Sequence, residues 1–254
     1  IALSEEERCL LEDERILDLL SVWRNIEIED ISSGKRSVNC TDEEFRFFYK
    51  VKYFFDINDS DHSGVELMYL QAVYDVVNSA YMCKIEDSFT FAALQLQQKY
   101  GNYQPKISES VVKGSTALYL PERTLTEQQE SHVITEVMKI YRQLRDMNQM
   151  EAMLSYIDFV KLFPSYGCSY FFALPTNCKS WPTEIALAIN NEGIHIVDNY
   201  TKEYIEEFKY NKILTWGHSP NQFVLAVGTL RESKKLTFKS VDGKEISDTL
   251  HAYV

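Results

Sequence analysis

Glycine, proline and cysteine are all scarce in this chain of 254 residues, at nine, six and five respectively. So little glycine and proline excludes a collagenous, linker-like or low-complexity chain. The cysteines (Cys9, Cys40, Cys83, Cys168 and Cys178) are odd in number and form no CxxC pair. The sequence therefore lacks the clustered ligands of a structural zinc, and the thiols read as reduced and unpaired. No apolar run approaches the ~20 residues of a membrane-spanning helix. The first residues, Ile1-Ala2-Leu3-Ser4-Glu5-Glu6-Glu7, hold neither the basic nor the apolar stretch of an export signal, and the chain reads as starting inside a domain. On that reading the sequons at Asn39, Asn58 and Asn199 are coincidental.

Positive charge is also in short supply. Lysine and arginine number 26 against 38 acids, a net charge of −12. Residues 1–164 hold 28 acids and 17 bases, whereas residues 165–254 are near balance with 10 and 9. Nucleic acid is excluded as a partner, because its affinity comes from neutralised phosphates. An anionic membrane would need a local basic patch.

Catalytic signatures are missing too. The chain has no GxxxxGK[ST] phosphate loop, no HExxH and no GxSxG, and its histidines (His62, His132, His195, His218, His251) are scattered. We therefore expect no enzyme, no cofactor and no metal site. Asp59-Ser60-Asp61-His62-Ser63-Gly64 imitates the first half of a calcium-binding loop. Leu70 stands where the bidentate glutamate belongs, so an acidic loop is the expectation.

What the chain does hold is 45% hydrophobic residues and 25% charged ones, ordinary globular composition for one large or two modest domains. Residues 1–30 are acidic and too few to fold alone; they read as one amphipathic helix, or as a strand, a turn and a short helix. Residues 31–41 are a loop around Ser32-Ser33-Gly34. Residues 42–164 read as a helical lobe. Thr41 or Asp42 is expected to cap a helix running through Phe45, Phe48, Val51 and Phe55. A loop at 59–64 follows, then a helix with apolar residues from Val65 to Val77. Asp87 or Ser88 caps the next, which Gly101 ends. Two more run from Thr126 to Arg145 and from Asn148 to Phe163.

At Gly167 the apolar period changes from helical to alternating. Strands are expected at Tyr170–Leu174, Ile185–Ile189, Ile194–Val197, Tyr204–Phe208, Ile213–Trp216, Phe223–Val227 and Leu236–Lys239. Asn190-Asn191-Glu192-Gly193 reads as a hairpin turn. A last helix carries Ile246, Leu250 and Tyr253. Seven short strands plugged by one terminal helix form a PH/PTB-like pattern over 165–254, giving an α+β fold class overall.

These pieces, in this order, resemble a FERM domain. Glu7-Arg8-Cys9-Leu10-Leu11, Leu17-Asp18 and Trp23 look like the close of a ubiquitin-like lobe. Val65-Glu66-Leu67, Gln71-Ala72, Ala92-Ala93-Leu94-Gln95 and Lys99-Tyr100-Gly101 look like the acyl-CoA-binding-protein-like helical lobe. Met147-Asn148-Gln149 with Phe163-Pro164-Ser165-Tyr166-Gly167 resembles the lobe junction in unconventional myosin tails that join a myosin-tail-homology domain to FERM. Glu184–Asn190 and Lys212–Trp216 are similar to the last lobe of that group, nearest class VII, then class X. Most of the ubiquitin-like lobe is not in the chain. Trp216-Gly217-His218-Ser219-Pro220 also looks like talin, whose adaptors bind receptor tails and phosphoinositides; that is the alternative.

The resemblance implies a non-catalytic module that binds protein cargo or adaptor peptides, in the cytoplasm at actin-rich protrusions or the cell cortex. Docking onto its own motor domain is a further implied partner, with cytoskeletal filaments and, weakly, phosphoinositides. In PTB-like lobes the open edge of the fifth strand accepts an added strand, with the last helix as opposite wall. Here that assigns Lys212, Thr215, Trp216 and Tyr253. Ile213, Trp216, Ile246 and Leu250 read equally as sandwich filling. Arg231, Lys234, Lys235 and Lys239 form a basic turn between the last two strands. In class VII tails such a turn is implicated in folding the tail onto the motor; Lys235 matches best, and Glu232 stands where the family would place a base.

Overall fold

The computed structural model describes residues 10, 14–22, 49–81, 83–105, 112–229 and 231–254. The chain divides into two compact units, Ile1–Lys50 and Val51–Val254. In the first, residues 16–22 are helical (α1). Glu7–Cys9, Trp23, the loop around Gly34 and the helix start at Thr41 or Asp42 lie outside the described residues.

The second unit opens with a correction. The aromatic run that the sequence places on a helix through Phe55 is not helical over 49–60. Tertiary partners take over its backbone groups. Val51 N–H donates to the Gln71 side chain (2.6 Å), Gln71 Nε2 donates back to Val51 O (3.2 Å), and Phe54 N–H donates to Tyr253 Oη (3.0 Å). A helix would have to break all three.

α2 (His62–Val77) buries Val65, Met68, Tyr69, Ala72 and Val76, a spacing that marks one helical face. It begins inside the segment expected to be a loop, because Asp61 accepts from Gly64 N (3.0 Å) and caps the first turn. α3 (Ile85–Tyr100) starts earlier than expected, at an N-cap Lys84 without side-chain capping; Ser88 Oγ bonds Ile85 O instead. It is apolar on two faces. Phe91 and Leu94 join one core cluster with α2 and α6, while Phe89, Ala92, Ala93 and Leu96 join a second with α5. That makes α3 the buried centre of the helical lobe. The amide nitrogens of its buried glutamines find carbonyls: Gln95 Nε2 donates to Tyr119 O and Gln97 Nε2 to Met147 O.

α5 (Glu130–Gln143) starts four residues after the helix expected from Thr126, and a short separate helix, α4 (Glu122–Glu127), precedes it. α6 (Gln149–Val160) carries a full capping box: Asn148 accepts from Glu151 N (3.0 Å), and Asn148 N–H donates to Glu151 Oε2 (2.8 Å).

All seven expected strands form: β1 (Ser169–Pro175), β2 (Ile185–Ile189), β3 (Gly193–Asp198), β4 (Tyr204–Lys209), β5 (Ile213–Ser219), β6 (Gln222–Gly228) and β7 (Ser233–Lys239). They make one antiparallel sheet ordered β4-β3-β2-β1-β7-β6-β5. β1 pairs with both β2 and β7, which lets the sheet fold over its own core. α7 (Gly243–Tyr253) lays Ile246 and Leu250 into that core beside Phe223, Leu225, Leu236 and Phe238. The architecture is therefore a helical lobe followed by a PTB/PH-like sheet with a C-terminal helix, mixed α+β as expected.

The lobes meet at Gly167, whose φ of 66° suits glycine. A Cβ there would stand 3.0 Å from the Phe54 ring. Phe54 packs edge-on against Tyr166 and Tyr53 against Tyr253, so the 51–55 segment links both lobes through aromatic contacts.

Candidate functional site: the open edge of β5

The strand order leaves two ends to the sheet, β4 and β5, and chemistry separates them. β4 reads Tyr204-Ile205-Glu206-Glu207-Phe208-Lys209, with three charges in six residues. Charged side chains on an edge deter added strands. β5 reads Ile213-Leu214-Thr215-Trp216-Gly217-His218-Ser219 and has no acid, lysine or arginine. Elsewhere the fold closes its backbone. Beyond the end of β1, Asn177 imitates a strand against β7, donating from Nδ2 to Lys235 O (2.6 Å) and accepting from Thr237 N (3.1 Å).

The pairing of β5 with β6 shifts between Ile213 and Thr215, so Leu214 bulges from the ladder and is 40% exposed. Trp216 pairs with Leu225 on the core-facing side, and Thr215 pairs with Ala226 on the outer side. α7 walls the core-facing side. Its first residue is glycine, since a Cβ at Gly243 would meet Gln222 O and His218 Cβ at 3.1 Å. Further along, His251 packs edge-on to Trp216 at 5.0 Å. His251 Nδ1 lies 2.7 Å from Ser247 O, a pure acceptor, so Nδ1 carries the proton and Nε2 the lone pair in the neutral ring. Ser247 and His251 are no nucleophile–base pair, because that nitrogen is already engaged.

Of the residues assigned from sequence, Thr215 and Trp216 lie on this edge, and Lys212 lies exposed in the 3₁₀ turn (Tyr210–Lys212) before it. Tyr253 is held elsewhere. Its hydroxyl accepts from Phe54 N, and its ring touches Tyr53, Phe55 and Tyr210. It serves the lobe junction, and burial raises its hydroxyl pKa. His251 and Leu214 were not singled out from sequence. The i, i+4 spacing of Ser247 and His251 was the available signal for the first; a bulge has none.

The four basic residues do not form one patch. Arg231 lies in the turn. Lys234 is on the core-facing side of β7, and its Nζ sits 5.3 Å from the Trp181 ring centroid, a cation–π contact. Lys235 and Lys239 share the outer side, paired with Ala226 and Gln222. Alternation along the strand separates neighbours that the sequence reads together. Cys168 lies at the base of the sheet, where burial pushes its thiol up to about 12, so it stays protonated and unreactive at neutral pH.

The profile of the FERM central domain matches residues 57–171. The chain contains a FERM central domain. A PTB domain of the IRS-1 type matches residues 173–254, the stretch holding most of the sheet and α7. Among curated relatives, FERM domain-containing protein B of Dictyostelium discoideum is 26% identical over 74% of the chain, which covers 41% of that protein. Mouse Talin-2 is 24% identical over 98% of the chain, covering 11% of that protein. The chain thus spans less than half the length of these relatives.

Two solved structures share the fold. The Dictyostelium discoideum myosin VII MyTH4-FERM MF2 domain (mutant 1) has a TM-score of 0.67 at 23% identity, covering 97% of this chain and 48% of that one. The human Myosin 7b C-terminal MyTH4-FERM domain, solved in complex with the harmonin-a PDZ3 domain, has a TM-score of 0.58 at 20% identity, covering 80% and 41%. The chain is homologous to myosin VII and talin FERM domains. Among its described residues, no helix is long and apolar enough to cross a membrane.

Proposed function

We propose that this FERM domain is a non-catalytic, partner-binding module of a cytoskeletal protein, an unconventional myosin tail of the class VII kind. Residues 165–254 are the recognition lobe, and the helical lobe before it, from residue 51 to 164, positions it. An extended cargo or adaptor peptide adds to the edge of β5 and lies against α7. The observation that carries this reading is the contrast between the two sheet edges: β4 is guarded by Glu206, Glu207 and Lys209, and β5 is unguarded. Backbone pairing supplies affinity, and Leu214, Trp216 and His251 supply side-chain selection. The human Myosin 7b structure, with its PDZ partner, supports partner binding as the role of such modules.

The test moves the guard of β4 onto β5. Peptides selected from a random extended library on the folded chain are expected to slow amide exchange along β5. Leu214→Lys with Thr215→Lys should weaken them at least about tenfold, the cost of a few lost backbone bonds. Both side chains are exposed, so the melting temperature should hold. Undiminished binding, or protection centred on another element, rejects the edge.

Docking onto a motor belongs to the same proposal. Lys235 and Lys239, on one outer face, are the pair suited to an acidic surface. In the full-length motor, Lys235→Ala with Lys239→Ala should raise resting ATPase activity at low salt, and the difference should shrink as salt is added. Equal activity at every ionic strength would remove this role. The alignment with Talin-2 over 98% of the chain favours a second reading, a talin-like adaptor binding receptor tails and phosphoinositides. In that case the lysine pair would govern binding to phosphoinositide vesicles.

A further inference from the structure

The far end of the sheet gathers three side chains that sequence spacing keeps apart. Glu192 lies in the β2–β3 hairpin turn, His195 on β3, and Glu207 directly opposite His195 on β4. Their ligand atoms all lie within 4.8 Å of one another. His195 is only 7% exposed, while both glutamates reach solvent. Neither carboxylate has an ion-pair or hydrogen-bond partner among the described residues.

The imidazole is held ready. Asn190 Oδ1 accepts from Glu192 N (3.0 Å) and Gly193 N (3.3 Å), which fixes it as the oxygen of the carboxamide. His195 Nε2, 3.3 Å away, therefore donates to it. That contact orients the ring as outer-shell partners of metal-bound histidines do, and leaves the other ring nitrogen with its lone pair. An imidazole beside two carboxylates is the donor set of a borderline divalent ion.

We propose that Glu192, His195 and Glu207 bind a divalent transition ion of the zinc class, with a fourth position open to water or to a ligand from a partner. In a tetrahedral zinc site, donors about 2.0–2.2 Å from the metal stand about 3.3–3.6 Å apart. The observed spread is wider, and the two glutamates that would close it are exposed rather than packed. Such an ion would tie the β2–β3 turn to β4 at the guarded edge of the sheet. The site is separate in residues and edge from the β5 docking surface, so either can fail without the other.

The experiment titrates the chelator-treated full chain with Zn²⁺ by calorimetry and with Co²⁺ by visible absorption. One ion per chain is expected, with cobalt ligand-field bands and no thiolate charge-transfer band. Glu192→Gln with Glu207→Gln, two exposed and nearly isosteric changes, should weaken binding by at least about tenfold, since loss of outer-shell partners alone costs 10–100-fold. Absence of saturable binding at micromolar Zn²⁺ overturns the proposal. So does unchanged affinity in the double variant, or a thiolate band that moves the ion to the cysteines.

Discussion

Leu250→Ala is expected to cost about 2–5 kcal/mol of stability, the range for emptying a leucine site in a close-packed core. Leu250 and Ile246 are fully buried and are the pair by which α7 enters the sheet core. Single domains hold only about 5–15 kcal/mol in total, so much of the margin goes. A helix of eleven residues also cannot persist without its packing face. The variant should therefore unfold at markedly lower urea, and it should lose the wall opposite β5, so peptides selected on the wild type should bind weakly. Leu250→Met keeps the volume and should cost less than about 1.5 kcal/mol. Equal urea midpoints for Leu250→Ala and wild type would show that α7 is not part of the core.

Gly193→Ala is expected to be nearly as damaging, through crowding. A Cβ on Gly193 would stand 2.2 Å from Phe208 O and 3.0 Å from Lys209 Cα. Both atoms are backbone of β4, directly opposite in the ladder, so no side chain can turn aside. Overpacking of this kind costs about 1–3 kcal/mol, and more where relief must come from the main chain. The strands would separate at this end, so β4 amides should exchange faster while α2 and α6 keep their protection. A melting temperature and exchange pattern equal to wild type would mean that the chain accommodates the methyl group without strain.

Residues differ sharply in how much they disclose before folding. The strands were legible because side-chain alternation has period two and each run ends in turn residues, as at Asn190–Gly193. The capping box of Asn148 and Glu151 is likewise written within four residues. The run from Val51 to Phe55 was misread because its aromatics mimic a helical face. What holds it is Gln71, twenty residues on, and Tyr253, about two hundred on. The start of α3 was misplaced because Ser88, a good capping residue by type, spends its hydroxyl on Ile85 O.

The candidate site divides the same way. That the fifth strand sits at an edge was expected from resemblance. That the other edge carries the charges needs the strand order. Lys234 and Lys235 are neighbours in sequence and opposites in space, because a one-residue step in a strand crosses the sheet. Glu192, His195 and Glu207 follow no ligand motif; the β3–β4 register joins them.

By itself, then, the sequence determined the local elements, the change from helical to alternating period at Gly167 and the charge carried by each strand. Those depend on a residue and neighbours within about four positions, the reach of helix and turn interactions. Only the tertiary structure decided which edge stays open, which lysines share a face and which carboxylates meet a histidine. Those outcomes depend on pairing across long loops, where each strand's partner is chosen by packing of the whole core and not by any residue nearby.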